Sequence, residues 1–487
     1  MVHGAPLLRR WSGVPLALRS PALSRLLVAG VVAFLVTLAW PAAGHASALN
    51  CLVPASGASS TAQSPLRFGI YPGGPAGSVN PKAPPRPEDP AKRLSALQTL
   101  AGSSPFVVRL YSAWTGDAAK DDDGGWLANE IAGYTSAGLQ VELVVRYKPA
   151  GAHAGSPAAF AEYVRGVVRR YGPDSRFVSL QVTNEANLPG SPEAADGAFA
   201  GAAEAVVQGV IAAKDQARQR GHGQVRVGFS WAYDERPLAS TDFWLTLGRL
   251  GGRAFADAVD WVGLDTYPGT WAPQFSLSDV LPGLAGGAVK ESVRSLRDCF
   301  MPLAGLGMST SLQIAENGFP TGPGRSDAMQ AQVLESMVRS VDEIRGRYGI
   351  TDYRWFDLRD SSSADPNIES QYGITRDDYS PKSAFNTYRN LIGRHSGAPG
   401  AGSTPVSTKA NCQRSPLKIS VPRWKSRRLP SLVVHVGSKV VKRVRRAPRS
   451  VRISMRAGRS KVKLKLVATA KSGRSQTRVH RRTYRIC

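Results

Sequence analysis

Between Cys412 and Cys487 the chain has no Asp or Glu at all, against 24 Lys and Arg. The first 48 residues also lack acids and carry four Arg. Positions 49–411 hold 34 basic and 36 acidic residues, so the formal net charge of +26 belongs to the two ends and the middle is close to neutral. The basic tail is poor in aromatics, with only Trp424 and Tyr484 to offer a face to a base, which argues against nucleic acid as its partner. Glycine-rich phosphate loops are missing too: neither GxGxxG nor GxxxxGK occurs, which removes the common nucleotide-binding signatures. The chain has four cysteines with no metal-type spacing, so no metal and no cofactor is expected. The uncharged run Leu26–Trp40 is short for a membrane-spanning helix.

What is present sorts into four parts. Arg9, Arg10, Arg19 and Arg25 precede that apolar run, and Pro41 and Ala46-Ser47-Ala48 follow it. This order predicts a secretory signal peptide over residues 1–48 and a secreted product. In an oxidising compartment Cys51, Cys299, Cys412 and Cys487 can pair in three ways. The favoured pairing joins Cys412 to Cys487 across the tail and Cys51 to Cys299. Residues 49–394 form the second part, 395–411 are a Gly/Ser/Pro linker, and 412–487 alternate apolar and basic residues. Runs such as Val462-Lys463-Leu464-Lys465-Leu466-Val467 have the period of half-buried strands, so the tail reads as a small all-β domain, an Ig-like sandwich. Its charge calls for an anionic partner, and a cell-envelope polymer or acidic polysaccharide is expected.

In the second part, short apolar runs alternate with helical stretches. Strands are predicted at Leu66–Tyr71, Phe106–Trp114, Leu139–Tyr147, Val178–Val182, Val225–Trp231, Trp261–Tyr267, Ser311–Ala315 and Tyr353–Leu358. Helices follow at 91–100, 126–137, 157–171, 193–220, 242–250, 289–300, 327–347 and 383–392. Eight strand and helix pairs over about 330 residues are the count and size of a (β/α)8 TIM barrel. A doubly wound open sheet is the runner-up.

In such a barrel the C-terminal strand ends share one rim, where active sites collect. The fourth strand breaks into Asn184-Glu185, and the seventh ends in Glu316-Asn317-Gly318. The two Glu residues are three βα units apart, so they face each other across the mouth. Paired carboxyl groups suit glycosidic bond cleavage: one protonates the leaving oxygen and the other attacks or activates water.

These motifs resemble those of the large clan of retaining glycoside hydrolases on TIM barrels, which includes cellulase-type family 5 enzymes, β-glucosidases and β-1,3-glucanases. Gln313-Ile314-Ala315-Glu316-Asn317-Gly318 is similar to the nucleophile segment of β-glucosidases, and Glu316-Asn317-Gly318-Phe319-Pro320-Thr321 to that of β-1,3-glucanases. Tyr372-Gly373-Ile374-Thr375-Arg376 with Ser380-Pro381-Lys382 resembles the run that closes many of these barrels. The resemblance implies Glu185 as acid/base, Glu316 as nucleophile and Asn184 as partner of the sugar 2-hydroxyl. It also implies Arg109 and Tyr267 as hydrogen-bond partners of Glu316, and Trp355 as the stacking floor of the cleaved sugar's subsite. A retaining mechanism and a carboxyl separation of about 5–5.5 Å are expected. Two departures stand out: Ala186 where Pro often follows the acid, and no His at the end of strand three.

Trp114, Trp231 and Trp271 are further candidate sugar platforms, and His153 is a candidate substrate contact. Asp121-Asp122-Asp123-Gly124 reads as a helix-capping turn rather than a calcium loop. The expected protein is a monomer that takes a carbohydrate substrate. The alternative is a barrel that binds glycan without cutting it.

Overall fold

The computed structural model describes residues 65–73, 80–121, 125–150, 156–273 and 282–396, together with seven strands between 412 and 486. Eight strands close a parallel barrel in sequence order: β1 Arg67–Ile70, β2 Phe106–Trp114, β3 Gln140–Tyr147, β4 Phe177–Val182, β5 Arg226–Ala232, β6 Trp261–Thr266, β7 Ser311–Asn317 and β8 Ile350–Trp355. A helix follows each: α1 Pro90–Ala101, α2 Trp126–Ser136, α3 Pro157–Tyr171, α4 Ala202–Gln219, α5 Pro237–Ala258, α6 Pro282–Arg294, α7 Asp327–Tyr348 and α8 Ser383–His395. Proline opens α1, α3 and α5, where its missing N–H costs nothing. The apolar stripe of α3, Phe160, Val164, Val167, Val168 and Tyr171, has helical spacing and is buried. Among the described residues no helix is long and apolar enough to cross a membrane.

Closure comes from β1, which pairs with β2 on one side and β8 on the other. The barrel interior is ionic. Asp352 accepts from Arg67 Nε at 2.6 Å and from Arg354 Nη2 at 2.9 Å. Glu142 in turn accepts from Arg354 Nη2 at 3.1 Å and from Arg109 Nη1 at 2.9 Å. Burial alone raises both acids, but the flanking guanidinium groups outweigh it and hold both below the ordinary carboxylate range. Glycine makes room for this filling. A Cβ on Gly69 would lie 2.6 Å from Arg354 Cδ, and one on Gly228 2.3 Å from the Trp261 ring.

Two expectations about elements need correction. The helix predicted from Glu193 begins only at Ala202, because Asp196 is buried and holds the preceding loop in place. The eighth strand spans Ile350–Trp355 rather than Tyr353–Leu358, and the chain leaves it through the cis Phe356–Asp357 peptide.

The C-terminal strands are β9 Cys412–Gln413, β10 Leu417–Ser420, β11 Ser431–Val436, β12 Lys439–Val444, β13 Ser450–Ile453, β14 Gly458–Thr469 and β15 Ser475–Ile486. They form a five-stranded sheet, β12-β11-β14-β15-β9, and a two-stranded sheet, β10-β13. Pairing is antiparallel except between β15 and β9. On β11 Leu432 and Val434 are buried at alternate positions, the period-two pattern, whereas Lys439 to Arg443 on β12 are all exposed.

The signal segment 1–48, His153, Asp122 to Gly124 and the linker beyond Ser396 lie outside the described residues. So do Cys51, Cys487 and the Cys412 side chain, while Cys299 is buried within the π-helical segment Ser295–Phe300. The proposed cysteine pairing is therefore not among the described contacts.

Candidate active site

The end of β4 is held in an unusual backbone conformation. Thr183 and Glu185 have φ values of 65° and 49°, in the left-handed region that non-glycine residues seldom adopt. Such residues persist where the surroundings over-determine them. Here Asn184 N donates to Asp196 Oδ2 at 2.7 Å, Glu185 N to Ser230 Oγ at 3.2 Å, and Gln181 Nε2 to the Thr183 carbonyl at 2.8 Å. Asp196 also takes Tyr147 N at 2.8 Å and Arg146 Nε at 2.9 Å, and burial pushes its carboxyl up to about 6. The loop that carries Glu185 is thus fastened to β3 and β5.

Glu316, the penultimate residue of β7, receives the donors of the site. Its Oε1 accepts from Tyr111 Oη at 2.6 Å and from Arg109 Nη2 at 3.2 Å, and its Oε2 accepts from Tyr267 Oη at 2.7 Å. Arg109 Nε also donates to Tyr111 Oη at 2.8 Å. No described side chain donates to the Glu185 carboxyl. Burial, then the charge of Glu316 and then that of Asp265, push Glu185 well above the carboxylate range. The two glutamates therefore stand in unequal settings: the donors converge on Glu316, while burial and like charge favour the protonated form of Glu185.

A third carboxyl completes the cluster. Asp265 lies near the end of β6, and oxygens of Glu185, Asp265 and Glu316 lie within 4.8 Å of one another. The oxygens of Glu316 already accept three hydrogen bonds, one from a guanidinium cation, which suits an organic substrate better than a metal ion.

Of the residues singled out in the sequence, Arg109 and Tyr267 bond Glu316, and Glu185 lies within 4.8 Å of it. Asn184 donates Nδ2 to the Ala194 carbonyl at 3.0 Å and takes Gln181 Nε2 at 3.2 Å on its oxygen. Trp355 does not reach the mouth: it has no exposed surface. Side chains alternate along a strand, so the inward face of β8 runs through Asp352 and Arg354 to Phe356. Phe356 is the aromatic at the rim. It stacks on Tyr71 with centroids 5.2 Å apart and meets Tyr267 and Tyr372 edge-on. Trp231 is also sealed, packed against Trp244 and Phe300 beneath the helices. Trp114 stacks on Tyr147 within the core, whereas Trp271 is 57% exposed. Motif reading missed Tyr111, Glu142, Asp196, Asp265 and Phe356. The available signal for Glu142 and Asp265 was a charge inside an apolar strand.

No protein-family model matches the chain, and no curated protein matches it either. Solved structures do. A family 5, subfamily 18 glycoside hydrolase from Bifidobacterium longum is 15% identical, with 69% of this chain and 80% of that one covered and a TM-score of 0.47. A β-glucosidase from Exiguobacterium marinum is 14% identical, with 63% and 86% covered and a TM-score of 0.45. A calcium-binding mutant of the Bacteroides uniformis β-glucuronidase 2 is 12% identical with a TM-score of 0.41. It is matched over 87% of this chain, which spans only 46% of that protein.

Proposed function

We propose that the protein is a retaining glycoside hydrolase in which Glu185 is the acid/base and Glu316 the nucleophile. The observation that carries this reading is the approach of their oxygens to within 4.8 Å, with the described donors gathered on Glu316 alone. Retaining enzymes place their carboxyl groups about 5–5.5 Å apart, and inverting ones about 6.5–9.5 Å to admit a water. In the first step a Glu316 oxygen attacks the anomeric carbon while Glu185 gives its proton to the departing oxygen. In the second, Glu185 takes a proton from the water that displaces Glu316. The raised setting of Glu185 keeps the acid loaded, so activity is lost as pH rises through its folded value. Phe356 and Tyr267 supply an aromatic wall for a pyranose face.

The same reading covers the ends of the chain. The signal-like segment supports secretion, and the acid-free tail supports attachment to an anionic envelope polymer.

Release of reducing sugar from β-glucans, mannans and galactans tests the activity, with the product anomer followed by NMR. Glu316→Ala and Glu185→Ala are each expected to lower turnover at least 10²-fold. An inverted product excludes retention. Activity that survives both substitutions removes the hydrolase reading, and release from no substrate leaves a barrel that binds glycan without cutting it.

A further inference from the structure

Asp265 is the one carboxyl of the cluster to which the reaction above gives no work. It is 2% exposed, and neither oxygen has a hydrogen-bond partner. Glu185 faces it from the end of β4, Glu316 from β7, Arg109 from β2 and Glu142 from β3. Ser230, from β5, stands beside it: its hydroxyl oxygen accepts from Gln181 Nε2 and Glu185 N, and its O–H is the one neutral donor turned toward Asp265. The nearest cation, Arg109, is divided between Glu142 and Glu316. A sealed carboxyl with acidic neighbours and no cation of its own is far cheaper neutral than ionised. Burial, and then the charge of Glu316, accordingly push it well above the carboxylate range.

A neutral carboxyl has an O–H to give, and its acceptors are the two glutamates. Building on the hydrolase reading, we propose that Asp265 is a positioning residue that keeps its proton throughout and turns it to the Glu185 carboxylate when the glycosyl-enzyme forms. The electron count calls for such a change. When a Glu316 oxygen bonds to the anomeric carbon, the bond pair of the departing group leaves with its oxygen, which takes the Glu185 proton. Negative charge thereby moves from Glu316, which has three donors, to Glu185, which has none among the described side chains. Asp265 lies within 4.8 Å of both, less than about 2 Å beyond hydrogen-bond length. On hydrolysis, water bonds to the anomeric carbon and yields a proton to Glu185. Glu316 departs with the bond pair, and Asp265 is released from Glu185 with its own proton unspent.

Two readouts on the full chain test this. Infrared spectra at neutral pH should show one protonated-carboxyl band fewer in Asp265→Asn than in wild type, with the melting temperature retained. An unchanged band overturns the role of Asp265. On a substrate that wild type cleaves, Asp265→Asn keeps an N–H donor and should lower kcat about tenfold. Its alkaline limb of log kcat/KM should also fall less steeply, because one required proton has been removed. Asp265→Ala has no donor and should lower kcat by about 10²–10³-fold, with glycosyl-enzyme accumulating in the mass spectrum. Equal losses in both variants with an unaltered limb would mean that Asp265 merely fills space, which overturns the switch. If wild type cleaves nothing, the switch falls together with the hydrolase reading, while the infrared arm still reports whether Asp265 holds a proton.

Discussion

Replacing Glu142 by Gln removes one charge from the middle of the interior ion-pair column and keeps its volume. Glu142 is fully buried, with one oxygen on Arg109 and the other on Arg354. The Gln carbonyl can accept from one guanidinium, but its NH2 must then face the other, donor against donor. Removing one partner of a buried pair costs about 3–5 kcal/mol. Unfolding entropy scales at about 2.1 cal/mol/K per residue, or roughly 0.7 kcal/mol/K for a barrel of about 330 residues. The melting temperature should therefore fall by roughly 4–7 °C at pH 7. Adding Arg354→Met removes the surplus cation and should recover part of the loss, so the two substitutions are non-additive. The pH dependence has a definite sign. Glu142 is held below its ordinary value, so its contribution is complete above the unfolded pKa and is lost as pH falls through the folded one. The gap between wild type and Glu142→Gln should then narrow in acid. Scanning calorimetry of the three proteins at several pH values decides the matter. A Glu142→Gln variant that melts with wild type, or strict additivity in the double variant, refutes the claim that the column is held by its charges.

Asp196 gives the opposite pH signature. Burial raises it from 3.8 to about 6, so the folded state binds the extra proton and this group's stability is lost as pH rises through about 6. Melting temperatures between pH 4 and 7 should depend less steeply on pH in Asp196→Asn than in wild type, and parallel curves would show that the group does not titrate there. The tail is tested by retention on anionic cell-wall material: the full chain should bind at low salt and elute as salt screens it, and a chain ending at residue 411 should not bind. Equal retention of the two would place the binding elsewhere.

Much of the barrel was legible because its strands are short apolar runs and its helices carry stripes of the right period. The Glu185 and Glu316 pair was legible because both follow strand ends and break the apolar pattern abruptly. What stayed hidden depended on register. Trp355 and Phe356 are adjacent aromatics at one strand end, and a shift of one residue exchanges the inward face for the outward one. Tyr111 sits two residues beyond Arg109 on β2 and so shares its inward face, but only the partner on β7 shows why that matters. Asp196 lay in an Ala-rich stretch with helical periodicity, where its three donors override local propensity. Asp265 differs from these: WVGLDTY displayed a lone acid in a buried strand, and only its neighbours reveal that it lacks a counter-ion.

The pairing of Arg67 with Asp352 bears on how the chain folds. These residues lie 285 positions apart, on the first and last strands of the barrel. Contacts of such long sequence separation form late, after most of the loop-closure entropy has been lost. Until β8 docks beside β1, Arg354 and Asp352 are absent from the interior and Glu142 has only Arg109 to neutralise it. Because β8 brings one cation and one anion, an intermediate lacking it keeps the same interior net charge but leaves Arg67 without Asp352, so its centre must stay hydrated. The final strand also carries Phe356 to the rim beside Tyr71 and Tyr267, so the mouth of the barrel is completed at the last stage of folding.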